Sequence, residues 1–161
     1  MTIRTLSQIR ILFICHGNIC RSPMAEFVMK DLVQKQGLEA SIHVASAATS
    51  TEELGNPVHS GTKRKLSEYG ISCKDKTARQ ITRNDYGEHD YLIVMDDFNL
   101  RNMRKIIQGD PEDKVSKLLS FCGESGDIAD PWYTGDFDLT YQDVLRGCTA
   151  LMHKLLKNER G

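Results

Sequence analysis

The chain has one tryptophan, four prolines and no apolar run longer than an ordinary strand. A helix that crosses a bilayer needs about 20 consecutive apolar residues, so no segment reads as a membrane span. Long basic runs are lacking too. The 21 Lys and Arg are balanced by 22 Asp and Glu, for a formal net charge of −1. That balance carries no electrostatic footprint for nucleic acid. Five cysteines make an odd count without paired spacing, which argues against a disulfide framework and for a reducing, cytoplasmic setting. The first eight residues lack the apolar core of a signal peptide and read as a short leader. Repeats, linkers and low-complexity tracts are missing as well. Residues 9–161 then form one domain, long enough to bury a core.

Against these absences stands one dense stretch, Cys15-His16-Gly17-Asn18-Ile19-Cys20-Arg21-Ser22-Pro23. The apolar run before it, Ile9 and Ile11 to Ile14, reads as a buried strand over 9–14. After it, the spacing of Met24, Phe27, Val28, Leu32 and Val33 predicts a helix over 22–36 that ends at Gly37. Ser22 is a natural N-cap and Pro23 a natural first helical residue. A loop between a strand end and a helix start turns its backbone N–H groups and the positive helix end toward one point. Arg21 adds a planar fork suited to two phosphate oxygens. One thiol, Cys15, lies at the mouth of that cradle, where an anion site also favours the nucleophilic thiolate. Zinc is not expected, because no second ligand pair follows at usable spacing and Arg21 would repel a cation. No metal and no cofactor are needed.

The remaining elements alternate. Ile42 to Ala45 reads as a short strand followed by Ser46, then a loop over 47–55 with Glu52 and Glu53. Asn56 and Pro57 predict the start of a second helix that ends before Gly70. Residues 71–82 read as irregular, and Asn84 to Glu88 as one helical turn. Tyr91 to Met95 is a continuous apolar strand, with a helix over about 97–108, for which the acids at 96 and 97 and Asn99 supply a cap. Val115 to Leu119 is a strand or a helical turn; periodicity does not decide. Gly123 to Asp138 reads as a long loop, and Tyr141 to Leu155 as a strong amphipathic helix whose apolar stripe holds Cys148. Strands alternating with helices imply an α/β parallel sheet covered on both faces. Right-handed crossovers then gather residues 15–22, 46–55, 96–99 and 120–135 at one rim. Asp130, before Pro131 in the long loop, is the candidate general acid, since 15–23 holds no carboxyl group. Trp132, Tyr133 and Ile19 supply apolar walls for an aromatic ring. His43, His59, His89 and His153 have no partners at motif spacing and are expected at the surface or satisfied.

The order strand, C-x5-R-S-P and helix near the N-terminus resembles the low-molecular-weight protein tyrosine phosphatases. The resemblance extends to Ala78-Arg79-Gln80-Ile81-Thr82, to Met95-Asp96-Asp97-Phe98-Asn99-Leu100 and to Asp130-Pro131-Trp132-Tyr133. It implies a three-layer, flavodoxin-like fold of the phosphotyrosine phosphatase I type, with four parallel strands and helices on both faces. It also implies two-step hydrolysis of phosphotyrosine and small aryl phosphates through a phosphocysteine. Cys15, Arg21 and Asp130 would be catalytic. His16, Gly17, Asn18, Ile19, Cys20 and Ser22 would bind the phosphate. By the same analogy Asn18 bonds Ser46 and holds the loop's shape, Ser22 steadies the thiolate, and Cys20 is a reversible disulfide partner of Cys15. Glu52, Trp132 and Tyr133 fall at the pocket rim. The implied partner is a tyrosine-phosphorylated protein, met by a monomer or weak dimer without nucleic acid or membrane. The chain departs from the family pattern at His16, at Lys76, where a histidine is frequent, and at Glu52 and Glu53, where an aromatic is frequent. Three rivals remain. A protein arginine phosphatase of the same fold carries threonine where this chain has Ile19. An arsenate reductase needs two further cysteines near 80–90, and none stands between Cys73 and Cys122. A non-catalytic phosphate-binding module would be expected to lose Cys15 or Asp130.

Overall fold

A computed structural model describes residues 8–160, so the leader expected over 1–8 lies almost wholly outside the described residues. Strands β1 (Ile9–Cys15), β2 (Ile42–Ala48), β3 (Tyr91–Val94) and β4 (Val115–Lys117) form one parallel sheet in the order β2-β1-β3-β4. This is the expected α/β arrangement. Side chains alternate across the sheet with the period of the strand. Ile11, Phe13 and Ile93 enter one apolar cluster, with Met24, Val28, Val144 and Leu151. Leu12, Ile14, Leu92 and Val94 enter the other, with Tyr86, Met103 and Ile107. Both faces of the central strands are therefore covered, which is why β1 and β3 read as continuous apolar runs instead of alternating ones.

Helices α1 (Arg21–Lys35), α2 (Ser60–Ser67) and α6 (Phe137–Arg160) cover the first face; α3 (Asn84–Glu88) and α4 (Asp97–Ile107) cover the second. The short α5 (Pro131–Thr134) lies inside the long loop before α6. A methyl group at Gly147 would overlap the Leu118 side chain, so the missing Cβ lets α6 close on the 3₁₀ turn Leu118–Cys122. No described helix is long and apolar enough to cross a membrane.

Four local expectations are corrected. Ser22 does not cap α1: Cys20 holds the N-cap position without a side-chain bond, and Ser22 sits one residue inside the helix. Its hydroxyl is drawn instead to Cys15 and Asn18. Asn56 does not cap α2, which starts at Ser60 and is capped by the His59 ring. Residues 56 and 57 are held elsewhere, Asn56 by the Ala78 amide and the Glu53 carboxylate and Pro57 by a bridge to Thr77. Strand β2 runs on to Ala48, because Ser46, Ala47 and Ala48 keep pairing with Phe13, Ile14 and Cys15. Ser46 is thus a strand residue. The ambiguous segment is both things in turn, a three-residue strand and then the 3₁₀ turn. The acids at 96 and 97 behave as read: Asp96 and Asn99 form a capping box on α4.

Candidate active site

The loop from β1 to α1 turns on Asn18, whose φ of 59° lies in the left-handed region. Asn is among the few non-glycine residues that accept this conformation, because its short amide can bond locally. Here the amide is bonded on every side. Its Oδ1 accepts the Arg79 N–H (3.2 Å), which fixes the orientation of the group. Its Nδ2 then donates to Ser22 Oγ and to Ser46 Oγ, each at 2.8 Å. Ser46 Oγ donates in turn to the buried Glu26 carboxylate (2.6 Å). Lys76 Nζ pairs with Glu26 at 3.4 Å and donates to Ser46 O at 2.9 Å. The lysine that departs from the family pattern therefore meets Ser46 and Glu26, not Asn18. Burial lowers the Lys76 ammonium, and Glu26 opposes that.

This network decides what the sulfur meets. Ser22 Oγ already accepts from Asn18, so its own proton is free to point at Cys15 Sγ, 3.0 Å away. The Ser22 N–H lies 3.4 Å from the same sulfur. Two donors thus converge on Cys15, which forms the floor of a cleft and is itself only 3% exposed.

Arg21 is almost fully buried beside it. Nη1 donates to Asp96 Oδ2 (2.7 Å) and to the Ile128 carbonyl (2.8 Å), and Nη2 reaches Asp130 Oδ2 at 3.4 Å. These bonds engage three of the five N–H donors of a guanidinium. Nε–H and one Nη2–H remain, the edge that binds two oxygens of one anion. Burial alone would lower the guanidinium. The Cys15 sulfur, Asp96 and Asp130 outweigh it and hold Arg21 above its usual value, so it stays charged.

Asp130 arrives from the long loop as the cap of α5. Its Oδ1 accepts the Trp132 N–H at 3.0 Å, and its other oxygen faces Arg21. Trp132 and Tyr133 stand as exposed walls of the same cleft. His16 and Glu52 meet across the mouth (Nε2 to Oε2, 2.6 Å), with Glu53 next to them. Gly17, Ile19 and Cys20 complete the lining around a cavity of about 120 Å³. Asn18, Ser22 and Ser46 lie behind the lining and hold it. Cys20 is buried, and its thiol is pushed up to about 12, first by that burial and then by the charges of Cys15 and Asp130. All five cysteines are free. Among the described residues no cluster of His, Cys, Asp and Glu could hold a metal ion.

Four contributors were not legible as site residues. Asp96 reads as a helix cap, and it is one, but its second oxygen anchors Arg21 across 75 residues of chain. The Ile128 carbonyl and the Arg79 backbone carried no local signal of a site. Glu26 offered the one clue, an acid on the otherwise apolar side of α1.

The description "Low molecular weight phosphotyrosine protein phosphatase" matches residues 10–160. The low-molecular-weight protein-tyrosine-phosphatase YfkJ of Bacillus subtilis is 38% identical over 155 residues, 95% of this chain and 99% of its own. Its crystal structure superposes with a TM-score of 0.90 at 39% identity, covering 94% of this chain and 97% of that one. The human low-molecular-weight phosphotyrosine protein phosphatase is 40% identical over 149 residues, 89% of this chain and 94% of its own. A Drosophila arginine phosphatase also shares the fold, with a TM-score of 0.81 at 29% identity over 91% of this chain and 97% of that one. With a family match over residues 10–160 and relatives that align nearly end to end, the chain belongs to the low-molecular-weight phosphotyrosine protein phosphatase family.

Proposed function

We propose that this protein hydrolyses phosphotyrosine in proteins, and small aryl phosphates, through a phosphocysteine intermediate. One cleft that brings Cys15, Arg21 and Asp130 together from residues more than a hundred positions apart carries this reading. Cys15 thiolate attacks phosphorus in line as the bond to the tyrosine oxygen breaks. Asp130, protonated for this step, gives its proton to the departing phenolate. The loop amides and the free edge of Arg21 hold the equatorial oxygens as charge spreads over them. In the second step the Asp130 carboxylate takes a proton from water as that water attacks phosphorus. The S–P bond breaks, phosphate leaves, and the Ser22 hydroxyl stabilises the returning thiolate. His16, Gly17, Asn18, Ile19, Cys20 and Ser22 form the phosphate cradle and its support; Glu52, Trp132 and Tyr133 form the rim. No cofactor enters.

The deep floor and the apolar walls of Ile19 and Trp132 favour an aryl phosphate, whose ring keeps the ester clear of the rim. A structure named a protein tyrosine phosphatase and one named an arginine phosphatase share this fold, so the test sets the substrates side by side. Purified protein should release phosphate from phosphotyrosyl peptide and p-nitrophenyl phosphate, and at most a trace from phosphoarginine. Thioredoxin-coupled reduction of arsenate should be absent. Preference for phosphoarginine, or no turnover of any ester, would overturn the reading.

Cys20 is proposed as the redox partner. Peroxide takes two electrons from Cys15 to give a sulfenic acid. The Cys20 thiol then condenses with it, releasing water and forming a disulfide that external thiol reduces. Peroxide-treated Cys20→Ser should recover less activity on thiol addition than the parent; equal recovery would remove Cys20 from this role. A setting that keeps Cys15 reduced, such as the cytoplasm, fits this chemistry. A tyrosine-phosphorylated protein is the proposed partner, met by a monomer or weak dimer without nucleic acid or membrane.

A further inference from the structure

His59 lies outside the cleft lining, yet it touches the pieces that surround the cleft. Its backbone N–H donates to the Ile19 carbonyl of the phosphate loop at 2.8 Å. Its ring Nδ1 accepts the Gly61 N–H at 2.9 Å and caps α2, which leaves the ring proton on Nε2. The ring stacks on Phe137 (centroids 5.3 Å apart, planes 20° apart) and meets Trp132 edge-on (5.7 Å, 78°). Phe137 packs in turn against Ile19, Cys20 and Ala78. A methyl group on Gly61 would overlap the Phe137 ring, so that ring is seated against the first turn of α2.

These contacts close a circle. From Ile19 the path runs to His59, across its ring to Trp132, and through the Trp132 N–H to Asp130 Oδ1. From Asp130 Oδ2 it returns to Arg21 and the loop. α5 is a single four-residue turn, too short to hold its own orientation without tertiary contacts. We propose that His59 is a positioning residue: its ring props the Trp132 wall of α5 against the phosphate loop and so aims the Asp130 carboxyl at the leaving oxygen. The proposal rests on the acid role given to Asp130 above.

A plain capping role is the alternative, and two substitutions separate it. Asparagine is also a good N-cap, so His59→Asn keeps the acceptor and removes the ring, whereas His59→Phe keeps a ring and removes the acceptor. Trp132 is the only tryptophan in the chain, so its emission reports on the wall directly. In His59→Asn the emission should move to the red and acrylamide quenching should rise. Its kcat/KM on phenyl phosphate should fall about fivefold, the scale of one lost aromatic edge contact. The inhibition constant of vanadate should stay within about twofold. His59→Phe should regain the parent emission and most of the kcat/KM, at a lower Tm. Parent-like emission and kcat/KM in His59→Asn would overturn the proposal. So would vanadate affinity that falls in step with kcat/KM, or a His59→Phe variant no better than His59→Asn. If the parent protein turns over no aryl phosphate, the acid role fails with it, and the emission of the two variants still judges the prop on its own.

Discussion

Cys15→Ser should lose turnover of p-nitrophenyl phosphate by a factor on the order of 10⁵ or more, while vanadate and inorganic phosphate still bind. The loss is that large because a single atom carries the covalent step, and removing one nucleophile removes the pathway. A serine hydroxyl stays protonated at neutral pH, and the two donors that converge on residue 15 from Ser22 solvate an anion rather than abstract a proton. Binding should survive because the cradle is built from other groups. The loop is held by Asn18 through Ser22, Ser46 and Arg79, and Arg21 is anchored by Asp96 and Ile128. Replacing an anionic sulfur by a neutral hydroxyl also removes like-charge repulsion against an oxyanion. Steady-state rates and anion titration followed by Trp132 emission measure the two halves. Activity within tenfold of the parent would end the phosphocysteine mechanism. Loss of anion binding would mean that the sulfur, and not the amides and Arg21, builds the site.

Asp130→Asn should separate substrates by leaving group. On phenyl phosphate, whose phenolate needs a proton, kcat/KM should fall by about 10²–10³, within the usual range for a positioned general acid. On p-nitrophenyl phosphate, whose leaving group is stable unprotonated, kcat/KM should fall far less. The ratio kcat/KM is the right quantity, because it reports on the phosphorylation of Cys15 and leaves the second step out. Asparagine is the right substitute, because its carbonyl oxygen can still accept the Trp132 N–H that orients the side chain. The change removes the proton and the charge facing Arg21, and spares the turn. Equal losses on both substrates would take the acid role away from Asp130 and leave it as a partner of Arg21.

Much of the molecule was legible from local pattern. The continuous apolar runs at 11–14 and 91–95 announce strands buried on both faces, and that is where β1 and β3 lie. The stretch Cys15 to Pro23 announces a turn from a strand into a helix, and β1 ends at Cys15 and α1 begins at Arg21, because strand end and helix start are local properties. Asp130 before Pro131 announces a stiff, acid-bearing turn, and it caps α5.

What failed locally failed for one kind of reason. Ser22 and Asn56 each have a capping preference that another bond overrides, Ser22 being taken by Cys15 and Asn18 and Asn56 by Ala78 and Glu53, and β2 runs past Ala45 because Ser46 pairs with Phe13. Asp96 shows the complementary case, since one carboxylate serves its own helix and an arginine 75 residues away. The sequence alone determined which reactive groups stand together at the end of β1, because Cys15, Arg21 and Ser22 are near neighbours in the chain. Only the tertiary structure decided which polar group each of them bonds, and that His59 braces the wall opposite, because those choices depend on which segments the sheet brings within hydrogen-bonding reach.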